Sequence, residues 1–177
     1  QETANTIWGN EASVLVGDFL YSRAFQLLID IQQVELMQEL ANASNQMAEG
    51  EVLQLMNRHN PQIDEETYYQ IIHAKTAVLF QAACTMSAMA SPNNTPDNIQ
   101  QASEFGKHLG LAFQLVDDAL DYQGNNEQLG KNIGDDLVEG KATLPLIHCL
   151  SMSSPEDRET IENIIATGDI ENPAKDF

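Results

Sequence analysis

Apolar residues recur every three or four positions along most of the chain, and no stretch alternates with period two for long enough to make a convincing strand, so the pattern predicts an all-α fold. A first apolar run extends from Ala4 to about Leu40, with Trp8, Leu15, Phe19, Phe25 and Leu28 at helical spacing. Gly9 and Gly17 interrupt it, each costing about 1 kcal/mol against Ala, and are expected to permit close helix contacts. A second run, Ala43 to Arg58, stops at Asn60-Pro61. Asp64 followed by Glu65 and Glu66 reads as a helix start, predicting a third helix to about Met89. Thr95 as N-cap and Pro96 at the first helical position open a fourth helix that continues to Tyr122. Gln123 to Gly140 is the only long polar stretch; Leu144 to Leu150 is a short apolar segment, and Ser154 opens a last helix ending near Gly168. No repeat divides the chain, which reads as a single all-helical domain over residues 1–177.

Charge narrows the possible partners. Eight Lys and Arg face 27 Asp and Glu, a formal charge of -19. No basic patch is present for a phosphate backbone, so nucleic acid is excluded as a partner, and docking on an anionic membrane surface is disfavoured. No run of about 18 apolar residues is apparent, so no transmembrane segment is expected. Cys84 and Cys149, without C-x-x-C spacing, are expected to be buried free thiols in a reducing, cytoplasmic compartment. The chain begins at Gln1 without an initiator Met and is expected to be a piece of something longer.

The informative stretch is Phe113-Gln114-Leu115-Val116-Asp117-Asp118-Ala119-Leu120-Asp121. Asp117 and Asp121, four apart, stand on one helix face with Gln114, and their like charges repel unless a cation lies between them. Mg²⁺ suits such oxygen ligands, taking one or two carboxylates and completing its shell with water and phosphate. The bland alternative is a solvated acidic face. Against it, Gly110 to Val116 is almost wholly apolar, so the acids are expected to end a core helix, where charges need partners. Of the five lysines, Lys75, Lys131 and Lys141 are the candidates. Gly130-Lys131 and Gly140-Lys141 each set a Gly before a Lys, an arrangement that can present backbone N–H groups and an ammonium to an anion.

Phe113-Gln114-x-x-Asp117-Asp118-x-x-Asp121, Gly130-Lys131, Asp135-Asp136-Leu137 and Gly140-Lys141-x-Thr143-Leu144-Pro145 together resemble the second aspartate-rich region of trans-prenyltransferases, the polyprenyl diphosphate synthases. Lys75-Thr76, Glu49-Gly50-Glu51 with Gln54, and Gly17-Asp18-Phe19-Leu20 resemble further elements of that family, in order, from residue 3 to about 150. Bacterial octaprenyl-type synthases, which make a quinone side chain, are the nearest in pattern. The resemblance implies a helical bundle around a central cavity, a homodimer, and Mg²⁺-dependent condensation of isopentenyl diphosphate with an allylic diphosphate. Carried over by position, Asp117 would ligate Mg²⁺, with Asp118 and Asp121 supporting it or binding through water. Lys75, Lys131 and Lys141 would meet the allylic diphosphate, Thr76 and Gln114 would lie at the reacting end, and Phe113 would face the isoprenoid.

The pattern also departs from the family. Its first aspartate-rich motif and the following Arg-Arg-Gly run belong upstream of the position matching Thr3 and are not in this chain, and its C-terminal helices normally continue past Phe177. These residues are therefore expected to be the middle and later part of a synthase, not competent alone. The rival is a non-catalytic subunit of a heteromeric prenyl synthase, which would have no reason to keep Asp117, Asp118, Asp121, Lys75 and Lys131 together. An acidic Ca²⁺-binding structural protein is disfavoured because no D-x-[DN]-x-[DN]-G loop occurs. His59, His73, His108 and His148 show no i, i+4 pair and read as structural or surface groups; the six Met read as core filler.

Overall fold

A computed structural model describes residues 4–123 and 134–169, and every element among them is helical. In chain order these are α1 (Ala4–Ile31), α2 (Val34–Met56), α3 (Glu65–Ile72), a π-helical turn (His73–Ala77), α4 (Val78–Met89), α5 (Pro96–Gln123), α6 (Asp135–Val138), α7 (Leu144–Met152) and α8 (Pro155–Thr167). The chain divides into two compact units, one up to Asn42 and one from Ala43.

Local capping chemistry sets several of the boundaries as expected. Asp64 accepts from the Thr67 N–H at 2.8 Å, Thr95 from the Asn98 N–H at 3.2 Å, and Ser154 from the Asp157 N–H at 3.2 Å. Each satisfies a donor that the first helical turn cannot pair internally. The first break is elsewhere than predicted. Gln32 takes a left-handed φ of 61° and ends α1, whereas α2 runs without interruption through Asn42 and Ala43.

In the first unit no residue of α1 is buried, and Gly9, at φ 81°, kinks the helix. A Cβ at Gly9 or Gly17 would meet nothing within 4 Å, so the close contacts expected at those glycines do not form. α1 is also long and apolar enough to cross a bilayer by length and composition, with a mean hydropathy of 1.2 over its best 18 residues. Asp18 and Arg23 break its apolar run, which is why the sequence shows no continuous apolar stretch there. A helix that packs within a protein passes the same test.

The second unit has two apolar clusters. One gathers Ile63, Ile71, Ala142, Leu146, Leu150 and Ile165, tying α3 to α7, α8 and the segment before α7. The other gathers Ala43, Val78 and Ala82 with Met47 and Met86, joining α2 to α4. α4 and α5 approach closely because Gly106 and Gly110 lie four apart on α5: a Cβ there would stand 2.6 Å from the Phe80 carbonyl oxygen and 2.5 Å from the Ala77 Cα. Met56 and Met152 are exposed and fill no core, and Cys149 is exposed where burial was expected, while Cys84 is half-buried.

Candidate functional site

The helix predicted over residues 65–89 is present, but its centre widens into the π-helical turn His73–Ala77, which carries Lys75 and Thr76. Such widened turns occur mostly singly within α-helices and are frequent at functional sites. α2 presses on this turn at Gly50, where a Cβ would lie 2.6 Å from the Lys75 nitrogen and 2.8 Å from the Ala74 carbonyl carbon. Only a residue without a side chain fits there. The approach brings α2 side chains onto Lys75: Nζ donates to Gln54 Oε1 at 2.6 Å and lies 3.4 Å from Glu51 Oε1. Glu49 points elsewhere and accepts from the Asn45 amide, as two-residue spacing on a helix requires.

Opposite, α5 brings Gln114 and Asp118 to the same cleft. Thr76 Oγ1 donates to Gln114 Oε1 at 2.8 Å, and Gln114 Nε2 donates to Asp118 Oδ1 at 2.8 Å. Tyr68 from α3 donates its hydroxyl to Asp118 Oδ2 at 2.6 Å. Asp118 is only 4% exposed. Burial pushes its carboxyl above the usual carboxylate range; the Tyr68 and Gln114 hydrogen bonds oppose the shift, and Asp136 and Asp117 add to it. Burial, with the bond to Asp118, likewise pushes the Tyr68 hydroxyl up.

Asp121, also buried, organises the next segment. Its backbone carbonyl accepts from Gly134 N–H at 3.0 Å, and its carboxylate Oδ2 accepts from Asp136 N–H at 3.3 Å. Lys141 then turns back onto Asp136 Oδ1 at 3.0 Å and Glu139 Oε2 at 2.7 Å. Burial works against the charged ammonium, but the bonds to Glu139 and Asp136 outweigh it and hold its pKa above the ordinary lysine value. The loop is clamped from α2's C-terminal side, where Arg58 Nε donates to the Glu139 carbonyl at 2.9 Å and His59 N–H to the Gly140 carbonyl at 2.7 Å. His59 Nδ1 lies 3.0 Å from the Ile165 carbonyl oxygen, which bears out its structural reading.

These groups line a cleft of about 180 Å³ whose walls include Gln54, Lys75, Gln114, Asp117, Asp118 and Lys141. The structure thus brings together Lys75, Gln114, Asp117, Asp118 and Lys141, with Thr76 bonded to Gln114 beside it. Lys131 lies outside the described residues. Phe113 is 56% exposed on another side of α5, 5.4 Å from the Phe80 ring centroid.

One expectation is reversed. The acids do not close an apolar core helix: Phe113, Val116 and Leu120 are exposed, while Asp118 and Asp121 are buried. The Gln114 amide pairs with Asp118, at i+4. Among the described residues no group of three or more His, Cys, Asp or Glu side chains gathers closely enough to hold a metal ion by itself. Asp117 is the exposed acid at the cleft. Hard carboxylate oxygens of this kind fit Mg²⁺ only as part of a shell completed by water and phosphate. Tyr68 was not recognised from sequence; its distance of 50 residues from Asp118 leaves no local signal.

Known proteins share this chain's sequence and fold. The chain is 49% identical over 166 residues to the octaprenyl diphosphate synthase of Escherichia coli, covering 94% of this chain and 51% of that protein. It is 46% identical to the all-trans-nonaprenyl-diphosphate synthase of Rhodobacter capsulatus, over 94% of this chain and 50% of that one. Its fold superposes with a TM-score of 0.85, at 46% identity, on a polyprenyl synthase from Caulobacter crescentus complexed with calcium and isoprenyl diphosphate, covering 96% of this chain and 52% of that one. The chain spans about half the length of the curated relatives it matches. The polyprenyl synthetase family model matches residues 1–176. With this helical fold shared and the family model matched along nearly its whole length, the chain belongs to the polyprenyl synthetase family.

Proposed function

We propose that the chain supplies the allylic-diphosphate side of a polyprenyl diphosphate synthase of the long-chain, quinone side-chain type, condensing isopentenyl diphosphate head to tail onto an allylic diphosphate. The observation that carries this reading is one cleft lined together by Lys75, Lys141, Gln114 and Asp117. Lys75 and Lys141 would receive the allylic diphosphate, each exchanging a carboxylate, Glu51 or Glu139, for phosphate oxygen. Lys131 belongs to the same proposed set. Asp117 would hold Mg²⁺, with Asp121 supporting it through the Asp136 segment; bound there, Mg²⁺ would neutralise charge growing on the leaving diphosphate.

Thr76 and Gln114 would place oxygen dipoles beside the carbon that becomes electron-poor as the C–O bond breaks. Phe113 and the exposed apolar row Leu109, Val116 and Leu120 would face the isoprenoid chain. Homodimer formation and a cytoplasmic location are part of the reading. The apolar surface of α1, with Trp8, Leu15 and Phe19 each more than half exposed, is of a kind that a protein partner covers. These residues alone are proposed not to be a competent catalyst.

Thermal unfolding tests the site. Mg²⁺ with methylenediphosphonate should raise Tm, by mass action on the folded state, and Asp117→Ala should remove that rise. No rise in either protein overturns the metal and diphosphate assignment. Turnover of radiolabelled isopentenyl diphosphate by residues 1–177 alone would sink the claim that they are incompetent. A complete protein that binds diphosphate yet forms no product would favour the non-catalytic subunit.

A further inference from the structure

With Asp118 ionised, the hydrogen bonds around it have only one consistent direction. An ionised carboxylate accepts and cannot donate. Gln114 must therefore turn its amide nitrogen, Nε2, toward Asp118 Oδ1, 2.8 Å away. That leaves Gln114 Oε1 facing Thr76 Oγ1 at 2.8 Å, and because Oε1 is an acceptor, the Thr76 hydroxyl must donate to it. The second carboxylate oxygen is taken by the Tyr68 hydroxyl at 2.6 Å. Tyr68 is itself 3% exposed, so its position is set by packing. No buried side-chain polar atom among the described residues is left without a partner.

We propose that Tyr68 and Asp118 are positioning residues that act through Gln114 to fix the polarity of the Thr76 hydroxyl, with Asp118 serving as the anchor of this relay and not as a direct metal ligand. With its proton committed to Gln114, Thr76 keeps only lone pairs to offer, and a preorganised oxygen of this polarity stabilises positive charge developing beside it. Were Gln114 free to flip, the Thr76 hydroxyl could instead accept from Nε2 and direct its proton outward, reversing the dipole. Asp118 prevents the flip, and Tyr68 holds Asp118. Burial of Asp118 with both oxygens engaged, against exposure of Asp117 at the cleft, separates the roles of two neighbouring acids. The inference rests on the reading of the cleft as a prenyl-transfer site.

The test uses the protein expressed from its complete coding sequence. Tyr68→Phe removes one hydroxyl and keeps the ring, and unchanged circular dichroism confirms folding. It should lower kcat about tenfold or more, the loss expected for a hydrogen bond to a charged group, with KM for both diphosphates within about twofold. Asp118→Asn can keep the relay: Asn Oδ1 accepts from Gln114, and Nδ2 donates to Tyr68, which becomes the acceptor. Mn²⁺ affinity by calorimetry, in the presence of methylenediphosphonate, should therefore stay within about twofold of wild type in Asp118→Asn and fall about tenfold or more in Asp117→Asn. Equal loss of Mn²⁺ affinity in the two Asn variants, or an unchanged kcat in Tyr68→Phe, overturns the proposal. Absence of turnover in the wild type would refute the prenyl-transfer reading instead. The relay is then decided by solvent exchange of the Gln114 side-chain NH₂ protons: faster exchange in Tyr68→Phe supports it, and an identical rate overturns it.

Discussion

Gly50→Ala adds one methyl group at the point where α2 meets the Lys75 turn. The added Cβ would lie 2.6 Å from the Lys75 nitrogen, 2.8 Å from the Ala74 carbonyl carbon and 2.9 Å from the Ala74 Cβ. Two of these three are backbone atoms, so relief requires a helix to move. Overpacking of this kind costs about 1–3 kcal/mol, whereas Gly→Ala in a helix returns about 1 kcal/mol of propensity. The net expectation is a loss of about 0–2 kcal/mol, or a Tm lower by up to about 8 °C for a chain of this size. Gly17→Ala is the matched control, since it makes the same chemical change in a helix with nothing within 4 Å. It should stabilise by up to about 1 kcal/mol. The difference between the two variants cancels the propensity gain and isolates the contact, at about 1–3 kcal/mol. Urea unfolding of wild type and both variants measures it. Gly50→Ala should also weaken methylenediphosphonate binding, because α2 carries Gln54 and Glu51 onto Lys75. A Gly50→Ala protein as stable as Gly17→Ala refutes the close approach.

Three further outcomes are expected. The Lys141 pKa is raised above its ordinary 10.5, so its pairing contributes stability that is fully present below the unfolded value and is lost as pH rises through the folded one; urea midpoints of wild type and Lys141→Met should converge between about pH 10 and 12. Parallel curves across that range would contradict the pairing. Ser154→Ala removes the acceptor for the Asp157 N–H and should cost about 1 kcal/mol, read as a Tm lower by about 2–4 °C. Cys149, exposed, should react with a thiol reagent in the native state well before the half-buried Cys84, and mass mapping of a partly labelled sample shows the order.

What the sequence disclosed was chiefly what neighbouring residues decide together. Asp64, Thr95-Pro96 and Ser154-Pro155 announce helix starts because the cap and the N–H it satisfies lie within three residues. The end of α1 was misplaced because Gln32 enters the left-handed region without being Gly or Asn, while Asn42, a residue common at breaks, sits within α2. The Lys75 turn was legible as a motif and illegible as a shape. It is pressed by other helices at Gly50 and Gly110, neither of which lies within twenty residues of Lys75. The aspartates were found, but their division of labour was not. Helix geometry puts Gln114 equally near residues at i+3 and i+4, and only the nonlocal bond from Tyr68 marks Asp118 as the one turned inward.

The wide turn at His73–Ala77 bears on how this chain tolerates change over generations. An α-helix advances about 100° per residue, so losing or gaining one residue there would swing Val78–Met89 around its axis relative to Glu65–Ile72. Phe80 and Ala77 would leave Gly106 and Gly110, and Val78 and Ala82 would leave Ala43, all in one step. Substitutions within the turn meet no such penalty, because they leave its phase intact. Point changes at positions 73–77 are therefore limited only by each side chain's own contacts, tight at Ala74 and Ala77 where Gly50 and Gly110 approach, whereas a length change disturbs every contact at once. Diversification of this part of the molecule must proceed by exchanging side chains on a backbone whose residue count is fixed.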